Sequence, residues 1–131
     1  MADYSELMGR FRDAYVAADA AALTEVLAPG FEWHLNWFPA DQPSPTGNVL
    51  HGVDEMVDEL RPRRRRQTWT NVRYRDLNER FAVGLVVQTF TISGINERGM
   101  PFEVAAVDLY PIVDDRIAKK DTYWKHQALV R

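Results

Sequence analysis

The sequence predicts an α+β fold: N-terminal helices packed on a strongly curved, mostly antiparallel sheet. Three observations predict it. Apolar residues recur at three- and four-residue steps before residue 62, and after residue 67 they alternate or run in β-rich segments. Turn signals at 96–99 (NERG) and at Asp114 and Asp115 divide the second half into a meander. Helices segregated from an antiparallel sheet define the class, and a sheet that wraps helices on one side only must curve. The 131 residues suit one domain spanning 1–131, long enough to bury a core without staples.

The elements follow in order. A first helix is expected over residues 3–18, where Tyr4, Leu7, Met8, Phe11, Tyr15 and Ala18 share one face. Asp3 and Glu6 have capping-box spacing. Asp19 reads as the N-cap of a short second helix carrying Leu23, Val26 and Leu27, stopped by Pro29 and Gly30. Residues 31–37 read as a strand. The run PADQPSPTG, 39–47, reads as a loop, because its prolines and glycine cannot sustain a ladder. A third helix is expected over 53–61, with Val53, Met56, Val57 and Leu60 inward. Strands are then expected over 68–76, 81–93, 100–113 and 116–130.

Apolar residues make up 46% of the chain and charged residues 27%, an ordinary globular mixture. The absence of cysteine excludes disulfides and thiolate metal sites, and it fits the cytoplasmic location expected here. The opening MADYSELMGRFRDAY carries acids early and no long apolar run, so neither a signal peptide nor a membrane span is expected. A net charge of −3 argues against nucleic acid as a partner. The basic run RPRRRRQ, 61–67, has no interleaved aromatics; it reads as cations complementing a helix C-terminus, with an anion or an acidic partner face left open. His34, His51 and His126 lack metal-ligand spacing, so no metal and no organic cofactor are expected.

Several residues are candidates for chemistry. Strand alternation places Trp33 and Trp37 on one face and His34 and Asn36 on the other. A histidine's unperturbed pKa lies near neutrality, so the residue type at 34 could take a proton; the alternative is a core histidine satisfied by a carbonyl or a loop residue. Asp108 stands inside the apolar run AAVDLYPIV. A buried carboxylate must be paired, hydrogen-bonded or protonated, which leaves a pocket role and a structural ion pair to an arginine or a helix end both open. KKD, 119–121, reads as a solvated charged edge. Pairing across the NERG turn places Val87 beside Asp108, so Thr89 is expected on the face of Asp108, with Gln88 and Thr91 the other polar groups of that strand. Trp33, Trp37, Phe38, Trp69, Tyr110, Tyr123 and Trp124 could line a pocket for a flat apolar ligand with one or two polar handles.

The segments FRDAYVAADAAALTEVLAPGFEWH, HGVDEM and VDLYPIVDDRIAKKDTYWK, in this order and spacing, resemble the nuclear transport factor 2-like superfamily, particularly its SnoaL-like branch, over nearly the whole chain. The resemblance implies a cone-shaped α+β barrel enclosing a pocket. Members include ketosteroid isomerases, polyketide cyclases, limonene epoxide hydrolase-like enzymes, and proteins that only bind or scaffold. It implies the isomerases' base at His34 and their oxyanion-hole aspartate at Asp108. The cyclases' last-strand aspartate falls on Thr122, one residue from Asp121, and one residue on a strand reverses the face. The isomerases' hydroxyl donor on the first helix corresponds to Phe11; Tyr15, one turn along, either substitutes or packs in the core. The epoxide hydrolases' charged set is not matched, since VVQTFTIS carries no charge.

Three functions stay open at this point. The first is cofactor-free acid–base catalysis (isomerisation, cyclisation or hydration) on a small hydrophobic ligand, with His34, Asp108 and Asp121 as the catalytic candidates. Tyr15, Trp33, Asn36, Trp37, Phe38, Thr89, Tyr110 and Trp124 would line its site. The second is ligand binding without turnover. The third is a scaffolding module. The resemblance implies a homodimer under all three, paired through the outer face of the sheet.

Overall fold

The computed structural model describes residues 2–37, 41, 44–66, 70–96 and 98–125, the side chains of 62–66 excepted. Phe38, Trp69 and His126 lie outside the described residues. Helix α1 spans Ser5–Ala17, α2 Ala20–Val26 and α3 Gly52–Arg66. The strands are β1 Leu27–His34, β2 Val49–His51, β3 Thr70–Ala82, β4 Leu85–Ile95, β5 Pro101–Val113 and β6 Arg116–Trp124. They form one sheet in the order β2-β1-β6-β5-β4-β3, which does not close, and its β1–β6 pair is parallel. The helices cover one face, as the α+β expectation requires.

The caps and turns show how local chemistry sets these elements. Asp19 caps α2, accepting a hydrogen bond from the Ala22 N–H at 3.1 Å. α1 has no capping box: Tyr4 is its N-cap and makes no side-chain cap bond, while Asp3 accepts from the Ser5 N–H. Asn96 holds the β4–β5 turn by accepting from the Arg98 and Met100 amides. Asp114 and Asp115 both adopt positive φ, as a two-residue hairpin turn requires.

Several boundaries differ from the sequence expectation; β1, for one, ends at His34 rather than running to Trp37. Leu27 begins β1 rather than ending α2, and the strand runs through Pro29 and Gly30, where the pairing with β6 shifts register. β2 is a three-residue edge strand beside β1, too short to leave a pattern. α3 continues past Pro62. The apolar run 81–93 hides a hairpin: β3 ends at Ala82, Val83 and Gly84 turn with Gly84 at φ +76°, and β4 starts at Leu85. The loop before β2 is held tightly at Gly47, where a Cβ would lie 1.9 Å from the Leu35 carbonyl oxygen.

The core lies between the helices and this face of the sheet. Met8, Phe11 and Ala14 of α1, Leu23 and Val26 of α2, and Met56, Val57 and Leu60 of α3 meet Phe31, Trp33, Val86, Tyr110, Ile112 and Ile117. The even-numbered residues of β5 from Ala106 to Ile112 are buried, so they face the helices.

Candidate functional site

One polar cluster interrupts this core. Asp108 is 3% exposed and Lys120 7% exposed. Lys120 Nζ donates to Asp108 Oδ2 at 2.8 Å and to the Tyr110 hydroxyl at 2.9 Å, and that hydroxyl donates to the same Oδ2 at 3.2 Å. The ammonium lies 5.1 Å from the Tyr110 ring centre, 5.4 Å from Tyr15 and 5.8 Å from Trp33, within cation–π range of all three. Burial is the largest single influence on Lys120 and pulls it toward its neutral form, but the Asp108 charge and hydrogen bond together with Tyr110 and Tyr15 outweigh it and hold the lysine well above its ordinary value. Burial likewise pushes Tyr110 far up, so its hydroxyl stays neutral and donates.

The other half of Asp108 is different. Its Oδ1 is buried and meets no hydrogen-bond partner among the described residues, and neither does Thr122 Oγ1. The two residues are directly opposed across β5 and β6. Gln88 opposes Asp108 and Glu79 opposes Gln88, so one polar row crosses the face from β6 to β3. At its far end Gln88 Nε2 donates to Glu79 Oε2 at 2.6 Å, and Arg12 of α1 reaches the same oxygen at 3.8 Å.

Lys120 is the site residue that sequence reasoning missed. From Leu109 to Ile112 β5 advances three residues, while from Asp121 to Ile117 β6 advances four. That extra residue is a bulge. Without it, alternation from the buried Ile117 would send Lys119, Asp121 and Tyr123 inward. The bulge sends Lys120, Thr122 and Trp124 inward instead and makes KKD half interior rather than a solvated edge. Nothing in the residue types announces it. The one available signal was Asp108 itself, which required a counter-charge.

The structure separates His34 from Asp108. Trp33 points into the core, so His34 points to the opposite face, where it registers beside Asp121. Asp121 also faces outward and accepts from the Tyr123 hydroxyl at 2.9 Å. The pairing of β4 with β5 is one residue off the expectation: Gln88, not Val87, opposes Asp108, which turns Thr89 outward. Asn36 follows the outward alternation of His34, and Trp37 is 45% exposed at the start of the loop. Tyr15, Trp33 and Tyr110 surround the cluster, and Trp124 lies on its face, opposite Ala106. Phe11 packs edge-on against Tyr110 with ring centres 5.6 Å apart, so the cluster's hydroxyl donor comes from β5 rather than α1. Two shallow surface concavities lie elsewhere, at the β3–β5 ends around Arg73 and Phe102 and between α1 and α2.

On the outward face His34 Nε2 lies 3.1 Å from Glu32 Oε1, and His51 Nε2 lies 3.4 Å from Glu32 Oε2. The His34 hydrogen bond holds Glu32 below the ordinary glutamate value of 4.5. A depressed carboxylate stabilises the fold above its unfolded pKa and loses that contribution as pH falls through the folded value. Wild type is therefore expected to lead Glu32→Gln in thermal midpoint at about pH 6 and to lose that lead by about pH 3. Differential scanning fluorimetry of both proteins across that range checks it. Among the described residues, no group of three His, Asp or Glu is placed to hold a metal ion, and no helix is long and apolar enough to cross a membrane.

The family model for the SnoaL-like domain matches residues 8–120. The chain belongs to the SnoaL-like family. No curated protein matches it. Among solved structures this SnoaL-like chain is similar to an NTF2-like protein of unknown function from Mesorhizobium loti, with 24% identity over 94% of this chain and 91% of that one and a TM-score of 0.64. A candidate polyketide cyclase from Pseudomonas putida has 16% identity over 95% and 93% and a TM-score of 0.68. A candidate isomerase from Bacillus subtilis has 15% identity over 95% and 90% and a TM-score of 0.66. At these identities the likeness is one of fold.

Proposed function

We propose that this chain is a cofactor-free acid–base enzyme of isomerase or cyclase type, acting on a small apolar ligand at Asp108. The observation that carries the reading is the division of one buried carboxylate: Oδ2 is held by Lys120 and Tyr110, and Oδ1 is left with no partner among the described residues. A fixed carboxylate with one unpaired oxygen in an apolar setting has the makings of a general base. In the proposed step Oδ1 takes a proton from carbon next to a ligand carbonyl. The C–H electron pair moves into the new C=C bond and the carbonyl pair onto oxygen, giving an enolate. The Lys120 ammonium favours the developing negative charge through a low-dielectric interior. Return of the proton to another carbon completes an isomerisation. The reading agrees with the family and with the candidate cyclase and isomerase that share the fold. His34 has no part in it.

The test is deuterium exchange into 2-tetralone, an aromatic ketone with acidic hydrogens beside its carbonyl, followed by NMR in D2O. Wild type is expected to catalyse exchange, and Asp108→Asn to slow it by about 10²–10⁴-fold, the usual worth of a general base. Asp108→Leu/Lys120→Met removes the base without leaving a buried charge, and it should be folded and equally slow. His34→Gln should exchange at the wild-type rate. Failure of wild type to exchange, or full exchange in the double variant, sinks the proposal.

A further inference from the structure

The outer face of the sheet, away from the helices, carries charges that its own chain does not pair. One row crosses it strand by strand: Arg80 of β3, Val87 of β4, Leu109 of β5 and Asp121 of β6. Their neighbours Phe81, Val86, Tyr110 and Lys120 face the helices, so all four point outward. Among the described residues Arg80 has no ion-pair partner, and Asp121 accepts from the Tyr123 hydroxyl but from no cation. Strands lie about 4.8 Å apart, so the two charges stand about 14 Å from each other, too far to pair within one chain. Between them Val87 and Leu109 are partly exposed, as is Val107 beside them. The next row crosses the same four strands with Asn78, Thr89, Val107 and Tyr123. Arg75, farther along β3, is neutralised in its own chain by Glu103 at 2.6 Å.

We propose that a second copy of this chain docks on this face about a two-fold axis running along the β4–β5 seam, so that Arg80 of each copy pairs with Asp121 of the other. Such an axis lays β3 of one copy over β6 of the other, and β4 over β5. Val87 then meets Leu109 twice, and Asn78 meets the Tyr123 hydroxyl. Face-packed sheets lie about 10 Å apart, a gap that an arginine and an aspartate span together. A two-fold axis across the strands would instead stack β3 on β3 and β6 on β6. That sets like charges against each other, so charge selects the first arrangement. The area suffices. The shortest of the four strands, β6, has nine residues, and four such strands give roughly 1,100 Å² for the two faces together, the size of a specific interface. The inference is independent of the reading of Asp108, whose side chain lies on the other face of the sheet.

Sedimentation velocity of wild type and charge-reversed variants tests it. Wild type is expected to be a dimer at micromolar concentration. Arg80→Glu and Asp121→Arg should each raise the dimer dissociation constant by about 10²-fold, since by symmetry each turns two attractions into repulsions. Mixing these two variants should restore a dimer, because the mixed species holds one native and one reversed pair, both of opposite charge. Arg80→Glu/Asp121→Arg should dimerise by itself for the same reason. Arg80→Ala and Asp121→Asn remove a charge without reversing it and should each weaken the dimer by about tenfold, so the test stands even where a reversal impairs folding. Circular dichroism confirms the fold of each variant. A monomeric wild type, charge variants that dimerise like wild type, or reversed variants that stay monomeric when mixed overturns the proposal.

Discussion

Lys120→Met is expected to destabilise the protein by about 3–5 kcal/mol, because it leaves the Asp108 carboxylate in the core without its counter-charge. The ion pair itself need not add stability. Two charges lose their hydration on burial, and their mutual attraction roughly repays the loss. Asp108→Leu/Lys120→Met should therefore lie within about 1 kcal/mol of wild type or above it. Equilibrium urea unfolding of the three proteins separates these outcomes. A small loss in the single variant would mean that water reaches Asp108. Lys120 is held above the ordinary lysine value of 10.5, so the sign of the pH effect is set. Its contribution is complete below the unfolded lysine pKa and fades only as pH rises through the higher folded value. The gap between wild type and Lys120→Met should not narrow between neutral pH and about pH 10 on account of Lys120.

Trp33→Ala is expected to cost about 3–5 kcal/mol, the range for removing a large aromatic from a packed core. Trp33 is 2% exposed, meets Tyr15 edge-on with ring centres 5.8 Å apart, and forms one wall around the Lys120 ammonium. Its loss opens a cavity beside a charge as well as removing apolar burial. His34→Gln, one residue along the same strand, should cost only about 1 kcal/mol, the worth of a hydrogen bond, since its side chain faces away and pairs with Glu32. Urea unfolding midpoints of the two variants measure the contrast between the two faces of β1.

This contrast shows where sequence reasoning was sound and where it stopped. Alternation correctly placed Trp33 and His34 on opposite faces, but residue types did not say which face was interior. The strand's position beside β6, under α2 and α3, decides that. Two tryptophans around a histidine read equally well as a pocket mouth or as a core edge. The same limit applies to Thr89, where a one-residue change in hairpin register exchanged it for Gln88.

Much of the molecule was nevertheless legible from local chemistry. The three helices, the Asp19 cap, the turns at Asn96 and at Asp114 and Asp115, and the final meander follow from periodicity and turn residues that act over a few positions. Asp108 was legible too, because a carboxylate in an unbroken apolar strand demands a partner wherever it lies. The sequence by itself determined the fold class and the presence of one buried acid. Only the tertiary structure decided its partner: the β6 bulge turns Lys120 inward, and the parallel pairing of β1 with β6 sets Trp33 over it and His34 behind the sheet. Register and bulges are settled by contacts between strands far apart in the chain, and a single residue of slip reverses every side chain that follows.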